Sequence, residues 1–229
     1  MVRCDDVLVK ERLRELSDRL HGPARLKADL LAEARHALQD AVEAYRDGGL
    51  PAAEAERRAV AEFGEPARLA PAYQAELAAG SLRGLSLRVL AVAGVLVVAG
   101  DLTWQGSSWS GGPGPPAAYR LLSASVDGIW LGAVVLSVAG LLLVAASARW
   151  AHPALPRLAR LTGLGLTATL VLGVATGAAL YAWSIGLWEA ARTWPPMLVG
   201  ALVCGAGFFW IGRAARSWLL SARRPAGPA

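Results

Sequence analysis

Apolar residues recur at helical spacing through the first 80 residues of the chain. Four of them predict a first helix: Val9, Leu13, Leu16 and Leu20. This helix ends at the His-Gly-Pro of residues 21–23. A second periodic run extends from Leu26 to Tyr45, and Gly48 and Gly49 stop it. The pattern therefore predicts a short helix, a tight turn and a longer helix.

Two further helices are predicted before the chain becomes continuously apolar. Pro51 opens a third helix, whose apolar stripe ends at Phe63 and whose natural cap is Gly64. After Glu65 the helical pattern resumes over residues 67–80, and this fourth helix is placed to lead directly into the membrane. Three to four short helices with tight turns predict one small helical core.

Beyond residue 80, four long apolar segments follow one another. Each is near the ~20 residues that a helix rising about 1.5 Å per residue needs to cross a hydrocarbon core about 30 Å thick. The predicted spans cover residues 85–104, 126–150, 158–183 and 196–218. We predict an all-α protein: a cytoplasmic helical domain of three to four helices over residues 1–80, followed by a four-helix transmembrane bundle over residues 81–229.

Charge is distributed unevenly between the two predicted domains. Residues 1–80 hold 12 Lys or Arg and 15 Asp or Glu, a net charge of −3, whereas residues 81–229 hold 11 and 3, a net charge of +8. In the four-span topology two arginines, Arg120 and Arg192, face nine on the other side: Arg83, Arg88, Arg149, Arg157, Arg160, Arg213, Arg216, Arg223 and Arg224. The positive-inside rule then places both termini in the cytoplasm. The amino terminus has no apolar core of signal-peptide length, which agrees with that placement.

Aromatic and acidic residues gather near the predicted span ends. Seven tryptophans there predict an interfacial belt: Trp104, Trp130, Trp150, Trp183, Trp188, Trp194 and Trp218. Asp101, Asp127 and Glu189, the only acidic residues beyond residue 80, fall at span ends on the outer side. The spans therefore lack the acidic residues at mid-membrane that mark an ion or proton path.

The predicted outer loops differ in length. Residues 105–119 are rich in Gly, Ser and Pro and predict a flexible loop, which we interpret as a connector rather than as a contact with an outer signal. The second loop, residues 184–196, is short, and Pro195 with Pro196 is placed to open the fourth span.

Small residues one helical turn apart occur within the spans. The pairs are Gly128 with Gly132, Gly173 with Gly177, Gly200 with Cys204, and Ala201 with Gly205. Such pairs let helix backbones approach closely in a membrane. Packing within one bundle is the favoured interpretation, and a homodimer formed through these faces is the alternative.

The first domain resembles a known family over residues 30–73, LLAEARHALQDAVEAYRDGGLPAAEAERRAVAEFGEPARLAPAY. Its motifs are the Gly49-Leu50 break after a long helix, the helix that starts Glu-Ala-Glu-Arg-Arg-Ala at Glu54, and the Phe63-Gly64-Glu65-Pro66 turn. In this combination the segment is similar to the cytoplasmic helical domain called the HAAS or permease-prefix domain. The resemblance covers the first domain only, and the four spans carry no assignable motif.

This resemblance does not imply catalysis. Domains of this family precede membrane helices, in bacterial proteins encoded beside PadR-like transcriptional regulators and in transporter permeases. The absence of Asn and the presence of only two Lys also suit a GC-rich bacterial genome. Four spans without a large extracytoplasmic domain match the small, regulator-associated branch better than the permease branch.

Four charged residues of the third helix form the candidate binding face for a partner protein. Glu54, Arg57, Arg58 and Glu62 stand at i, i+3, i+4 and i+8, so they share one helix face and could pair with a partner. The alternative is an ordinary solvated face with internal ion pairs. Other carboxylates of this domain, such as Glu56, are interpreted as solubilising.

Catalytic, cofactor and metal motifs are not found in the sequence. His21, His36 and His152 are the only histidines, and none stands at metal-ligand spacing. Cys4 and Cys204 lie in unlike surroundings and are predicted to be free thiols. No nucleotide-binding glycine loop occurs, and the acidic first domain disfavours direct nucleic-acid binding.

The sequence thus predicts a non-enzymatic membrane protein of regulation or signalling. It is expected in the bacterial inner membrane, in contact with the lipid bilayer and without catalytic, cofactor or metal sites. Its cytoplasmic helices would bind a protein partner such as a PadR-like regulator. The alternative is an accessory subunit of a membrane transporter.

Overall fold

The structure is a computed structural model in which residues 7–104, 116–150, 154–187 and 195–222 are described. Seven helices lie in these ranges: α1 (Val7–Arg19), α2 (Ala24–Asp47), α3 (Ala52–Phe63), α4 (Pro66–Trp104), α5 (Ala117–Arg149), α6 (Leu155–Leu187) and α7 (Pro195–Ser221). No strand occurs among the described residues. The predicted all-α class with a four-helix bundle is confirmed.

The turns between the first helices fall where the glycines and prolines predicted them. Residues 21–23 separate α1 from α2, and Pro51 is the residue before α3. Gly49 and Gly64 have φ angles of 91° and 90°, in a region that side chains with a Cβ rarely adopt. Glycine is therefore required at both breaks.

Helix α4 joins the first predicted domain to the first predicted span. It runs from Pro66 to Trp104 as one helix of 39 residues, so the predicted fourth helix and the first span are a single element. Contacts divide the chain into two compact units, which among the described residues are 7–81 with 217–222, and 82–216. The end of α7 therefore belongs to the first unit, although the sequence placed every residue after 80 in the membrane domain.

The first unit has two neighbouring apolar clusters. Val9 and Leu13 of α1 pack with Ala34 and Leu38 of α2 and with Val60 of α3. The second cluster lies nearer the α1–α2 turn and consists of Leu16, Leu20, Ala70 and Leu77, bordered by residues such as Leu26, Leu30 and Leu31. Because the start of α1 faces the middle of α2 and its end faces the start of α2, the two helices are antiparallel.

The second unit is apolar on its outside. Four helices of the chain, α4 to α7, are long and apolar enough to cross a membrane. Outward side chains such as Leu202 (74% exposed) and Phe209 (70%) could not face water in such numbers without cost. Small polar residues lie inside instead, among them Ser137 and Ser184. The chain is a multi-pass integral membrane protein.

Several predicted boundaries need correction. The loop predicted over residues 105–119 ends earlier, because α5 already begins at Ala117, and residues 184–187 belong to α6 rather than to the second loop. The helices exceed the predicted spans because hydropathy detects only their most apolar part, whereas backbone hydrogen bonding continues beyond it. Residues 195 and 196 begin α7, and residues 105–115 and 188–194 lie outside the described residues.

Candidate functional site

The candidate partner face lies on the exposed side of α3, but its four residues have different surroundings. All four side chains are exposed. The guanidinium of Arg58 lies over the ring of Tyr45 in α2, 5.6 Å from its centroid, whereas Arg57 donates a hydrogen bond from Nε to the Ala53 carbonyl, 3.2 Å away within α3. Glu54 has no ion-pair partner among the described residues. The structure thus brings Arg58 to α2, whereas the hydrogen bond of Arg57 stays within α3.

Tyr45 connects α2 to this face. The pKa of its phenol is raised above the ordinary value, first because Glu62 accepts a hydrogen bond from it and second because it is partly desolvated; Arg58 acts in the opposite direction. Arg58 and Glu62 therefore have a role within the unit, and Glu54 and Arg57 are the members of the face best placed to meet another protein.

Glu56 is a structural residue that the sequence interpretation misplaced. It was assigned to the solvated side of the third helix, yet it is only 6% exposed. Its Oε1 accepts hydrogen bonds from the backbone N–H groups of Leu8 (2.8 Å) and Val9 (3.1 Å) in the first turn of α1. A carboxylate at a helix N-terminus satisfies unpaired donors and suits the helix dipole. Glu56 thus fastens the start of α1 to α3.

Gln74 of α4 makes the most extensive polar connection in the first unit. Its Oε1 accepts a hydrogen bond from the backbone N–H of His21 (2.9 Å). Its Nε2 donates to the carbonyl of His21 and to the carbonyl of Ser221, each at 2.6 Å. The side chain is 5% exposed. One buried amide therefore holds together the α1–α2 turn, α4 and the last turn of α7.

The last turn of α7 packs closely at this point. Ser81 and Ser221 are hydrogen bonded through their hydroxyl groups at 3.0 Å. A Cβ added to Gly22 would lie 2.8 Å from the Oγ of Ser221, so the turn approaches α7 through a residue without a side chain. Trp218, one turn earlier, is 1% exposed. A side chain this deeply buried does not lie exposed at the lipid interface as the predicted belt requires, and the residue belongs to the first unit.

The remaining predicted belt tryptophans have mixed surroundings. Trp150 and Trp183 are exposed, at 67% and 38%, as an interfacial position requires. Trp130 is half-buried and lies 5.6 Å from the ring of Phe208 in α7. The side chains of Trp104, Trp188 and Trp194 lie outside the described residues.

Close helix packing in the second unit occurs mainly at glycines outside the predicted pairs. A Cβ on Gly140 of α5 would lie 2.9 Å from the Oγ of Ser86 in α4, and one on Gly207 of α7 would lie 3.0 Å from Val92. Of the predicted pairs, Gly173 also meets a neighbour, with Ile129 at 3.3 Å. Four other predicted glycines have no neighbour within 4 Å of such a Cβ: Gly128, Gly132, Gly177 and Gly205.

Hydroxyl groups within this unit form hydrogen bonds, several of them to carbonyls of their own helix, as Ser137 does to Ala133. The hydroxyl groups of Tyr119 and Ser184 are hydrogen bonded at 2.9 Å. The guanidinium of Arg88 lies 5.4 Å from the centroid of the Trp210 ring, an attractive arrangement for a cation. The buried Oγ of Ser86 has no hydrogen-bond partner among the described residues.

The described ranges hold no candidate metal centre. No group of three His, Cys, Asp or Glu side chains there could hold a metal ion. Cys204 is a free thiol, as predicted, whereas Cys4 and His152 lie outside the described residues. Charged faces and buried structural hydrogen bonds are therefore what the described part of the chain offers to a functional interpretation.

A small helical unit followed by four apolar helices defines an all-α, multi-pass membrane protein. Comparison with known proteins adds no relative, since no family model, curated protein or solved structure matches the chain.

Proposed function

We propose that this chain is a non-enzymatic regulatory protein of the bacterial inner membrane whose helical unit binds a cytoplasmic protein. The partner we expect is a PadR-like transcriptional regulator. In this role the membrane helices sense or anchor, and the helical unit transmits their state to the partner.

The observation that carries this proposal is the hydrogen-bonded position of Gln74. It binds the last turn of α7 and the α1–α2 turn through one side chain. Both α4 and α7 contribute residues to each unit. A displacement of either helix along its axis would break these short hydrogen bonds, because their strength falls steeply with distance and angle. A change in the membrane helices thereby has a direct structural consequence for the cytoplasmic helices.

The side of the membrane follows from charge. Nine arginines against two favour the cytoplasm for the ends of the chain, because basic residues are retained on that side during insertion. A helical unit in the cytoplasm would be able to meet a DNA-binding protein.

The binding face is supported by two exposed, charged residues of α3. Glu54 and Arg57 are exposed, and the hydrogen bond of Arg57 to the Ala53 carbonyl lies within α3. The resemblance of residues 30–73 to the HAAS domain supports the same role, because bacterial proteins with that domain are encoded beside PadR-like regulators. Exposed charges of both signs favour correct orientation of a partner more than raw affinity.

Co-purification tests this proposal. The tagged full-length chain is solubilised gently from its native membrane, and the proteins recovered with it are identified by mass spectrometry. The double variant Glu54→Ala with Arg57→Ala removes two charges of the face and keeps Arg58 and Glu62, which interact with Tyr45. A matched control, Glu43→Ala with Arg46→Ala, removes one charge of each sign from exposed positions of α2.

We expect a DNA-binding regulator with the wild-type chain and the control variant, and its loss with the α3 variant. Deletion of the gene should also alter transcription of the genes that the regulator controls. Recovery of transporter subunits in place of a regulator would overturn this proposal in favour of the accessory-subunit alternative. Unchanged transcription together with no recovered regulator would also overturn it.

A further inference from the structure

A groove of about 490 Å³ lies between α1 and α2 and is lined mainly by basic and apolar side chains. The α2 side is formed by residues 28, 31, 32, 35 and 36, and the α1 side by residues 10, 13, 14 and 17. These positions follow the i, i+3, i+4 and i+7 spacing of one helix face. The groove is therefore bounded by two parallel stripes about two helical turns long, or about 12 Å.

The groove exists because α2 has small side chains where it faces α1. Ala28 and Ala32 are one turn apart and exposed, and both line the groove. Leu13 and Leu31 lie between the two rims and give the floor its apolar character. A floor of this kind accepts apolar side chains spaced three or four residues apart, as an amphipathic helix presents them.

Basic side chains stand at one end of the groove. Because α1 and α2 are antiparallel, Lys10 and Arg14 lie opposite Arg35 and His36, away from the α1–α2 turn. All four side chains are exposed, and no carboxylate lines the groove. None of the four is ion-paired with another described residue.

The basic side chains of the groove lie in a domain whose net charge is negative. Residues 1–80 have a net charge of −3, yet the groove carries at least three positive charges. Like charges placed close together on helix surfaces are mildly destabilising, so the cluster has no evident benefit for the fold itself. Its charge complements an acidic ligand.

We propose that the α1–α2 groove binds an acidic amphipathic helix of the protein partner. Apolar side chains of that helix at i, i+3 or i+4, and i+7 occupy the space over Ala28 and Ala32, while its carboxylates meet Arg14 and Arg35. The proposal rests on the proposed partner-binding function and gives it a second contact, separate from the α3 face.

A designed peptide tests the groove without the natural partner. The probe is a fluorescein-labelled helical peptide with leucine at one i, i+3, i+7 stripe and glutamate on its flanks. It is titrated against the full-length chain in nanodiscs of zwitterionic lipid, with empty nanodiscs as the background. We expect saturable binding that weakens as salt is raised, because exposed charge pairs are screened.

Two groove variants with matched controls locate the binding. Arg14→Gln with Arg35→Gln should weaken peptide binding about fivefold to tenfold, which is the range expected for two partly exposed ion pairs. Arg25→Gln with Arg46→Gln makes the same change of charge outside the groove and should leave binding unchanged. Ala28→Leu with Ala32→Leu should fill the groove and also weaken binding, whereas Ala37→Leu with Ala44→Leu should not.

The thermal midpoint separates binding from folding. Neither Arg14 nor Arg35 forms an ion pair among the described residues, so Arg14→Gln with Arg35→Gln should not lower the midpoint of the chain, and a loss of peptide binding then reflects the groove. The proposal would be overturned if no saturable binding were found up to about 200 μM peptide, since specific binding should saturate well below the millimolar range. Equal binding by the groove variants and their controls would also overturn it.

A lipid surface is the competing occupant. The same chain in nanodiscs is offered vesicles of phosphatidylglycerol, and capture of these vesicles through Arg14 and Arg35, without peptide binding, would overturn the proposal. Failure of the groove leaves the proposed function standing if the regulator still co-purifies through Glu54 and Arg57. Failure of both contacts removes the partner-binding function itself.

Discussion

Gln74 and Ser221 are separated by 147 residues of sequence and are joined by a hydrogen bond of 2.6 Å from the Gln74 amide to the Ser221 carbonyl. The same amide group also binds the backbone of His21. The last turn of α7 is therefore part of the first unit rather than a free helix end. This relationship underlies the proposed coupling, and it gives the first prediction.

Gln74→Leu should destabilise the first unit by about 1–3 kcal/mol, because it removes the partner of the buried Ser221 carbonyl and of the partly buried backbone groups of His21. Hydrogen exchange should increase at the α1–α2 turn and at the end of α7 together. The control is Gln39→Leu at an exposed position of α2, which should change neither. Faster exchange at only one of the two sites would contradict the shared connection.

Glu56→Ala should loosen the start of α1. The substitution removes the acceptor of the Leu8 and Val9 N–H groups, and loss of such a cap costs about 0.5–2 kcal/mol. Hydrogen exchange at these two amides should rise more than at the end of α1. Glu43→Ala, an exposed carboxylate on α2, serves as the control. Exchange rates at Leu8 and Val9 equal to those of the wild type would show that the carboxylate does not cap α1.

Gly140→Ala should weaken the packing of α4 against α5. The new methyl group would lie 2.9 Å from the Ser86 hydroxyl, and overpacking of this kind costs about 1–3 kcal/mol. The thermal midpoint in detergent should fall. Gly128→Ala provides the matched control, because no atom lies within 4 Å of the added methyl group.

A second substitution identifies the cause of that loss. Ser86→Ala removes the hydroxyl that the new methyl group meets, so Ser86→Ala with Gly140→Ala should recover part of the midpoint. Ser86→Ala alone should not destabilise the chain, because the buried hydroxyl has no partner among the described residues and a buried group without a partner is unfavourable. A double variant no more stable than Gly140→Ala would show that the contact with the Ser86 hydroxyl does not cause the loss of stability.

Tyr45 should titrate above its ordinary pKa of 10.0, because the Glu62 carboxylate accepts a hydrogen bond from its phenol. Since the pKa is higher in the folded state than in the unfolded state, the contribution of this group to stability is present below pH 10.0 and is lost as the pH rises through the raised value. The difference between the alkaline absorbance titrations of the wild type and Tyr45→Phe isolates the residue.

Glu62→Ala should bring the titration of Tyr45 down towards its ordinary range, because it removes the first cause of the shift. Glu54→Ala, on the same helix but away from Tyr45, should leave the titration unchanged. An unchanged titration in Glu62→Ala would show that Glu62 does not interact with Tyr45, and Glu62 would then be available to a partner protein.

Much of the candidate site could not be predicted from the sequence, and Glu56 shows why. Its charge groups it with Glu54 and Glu62 as a solvated carboxylate, although its spacing of three, four and seven residues from Ala59, Val60 and Phe63 places it beside the apolar stripe of α3. Only the packing of α1 across α3 turns its carboxylate into a buried cap. Arg58 and Glu62 were chosen for their common helix face, but that spacing does not reveal that Tyr45, in another helix, already meets them. The groove likewise required two helices to be placed side by side.

By itself the sequence determined the elements. Glycines and prolines set the ends of α1, α2 and α3, since φ angles near 90° at Gly49 and Gly64 suit only glycine. Apolar runs near the length of a bilayer determined the four long helices, because lipid requires both apolar side chains and internally satisfied backbone groups.

Tertiary structure decided which residues meet across long separations. It enclosed Trp218 in the first unit, brought Gln74 to Ser221, and made Gly140 rather than Gly128 the point of close approach. Helical periodicity gives the face on which a residue lies, whereas contact depends on how separate helices pack. A local pattern carries the first kind of information, and only the folded chain contains the second.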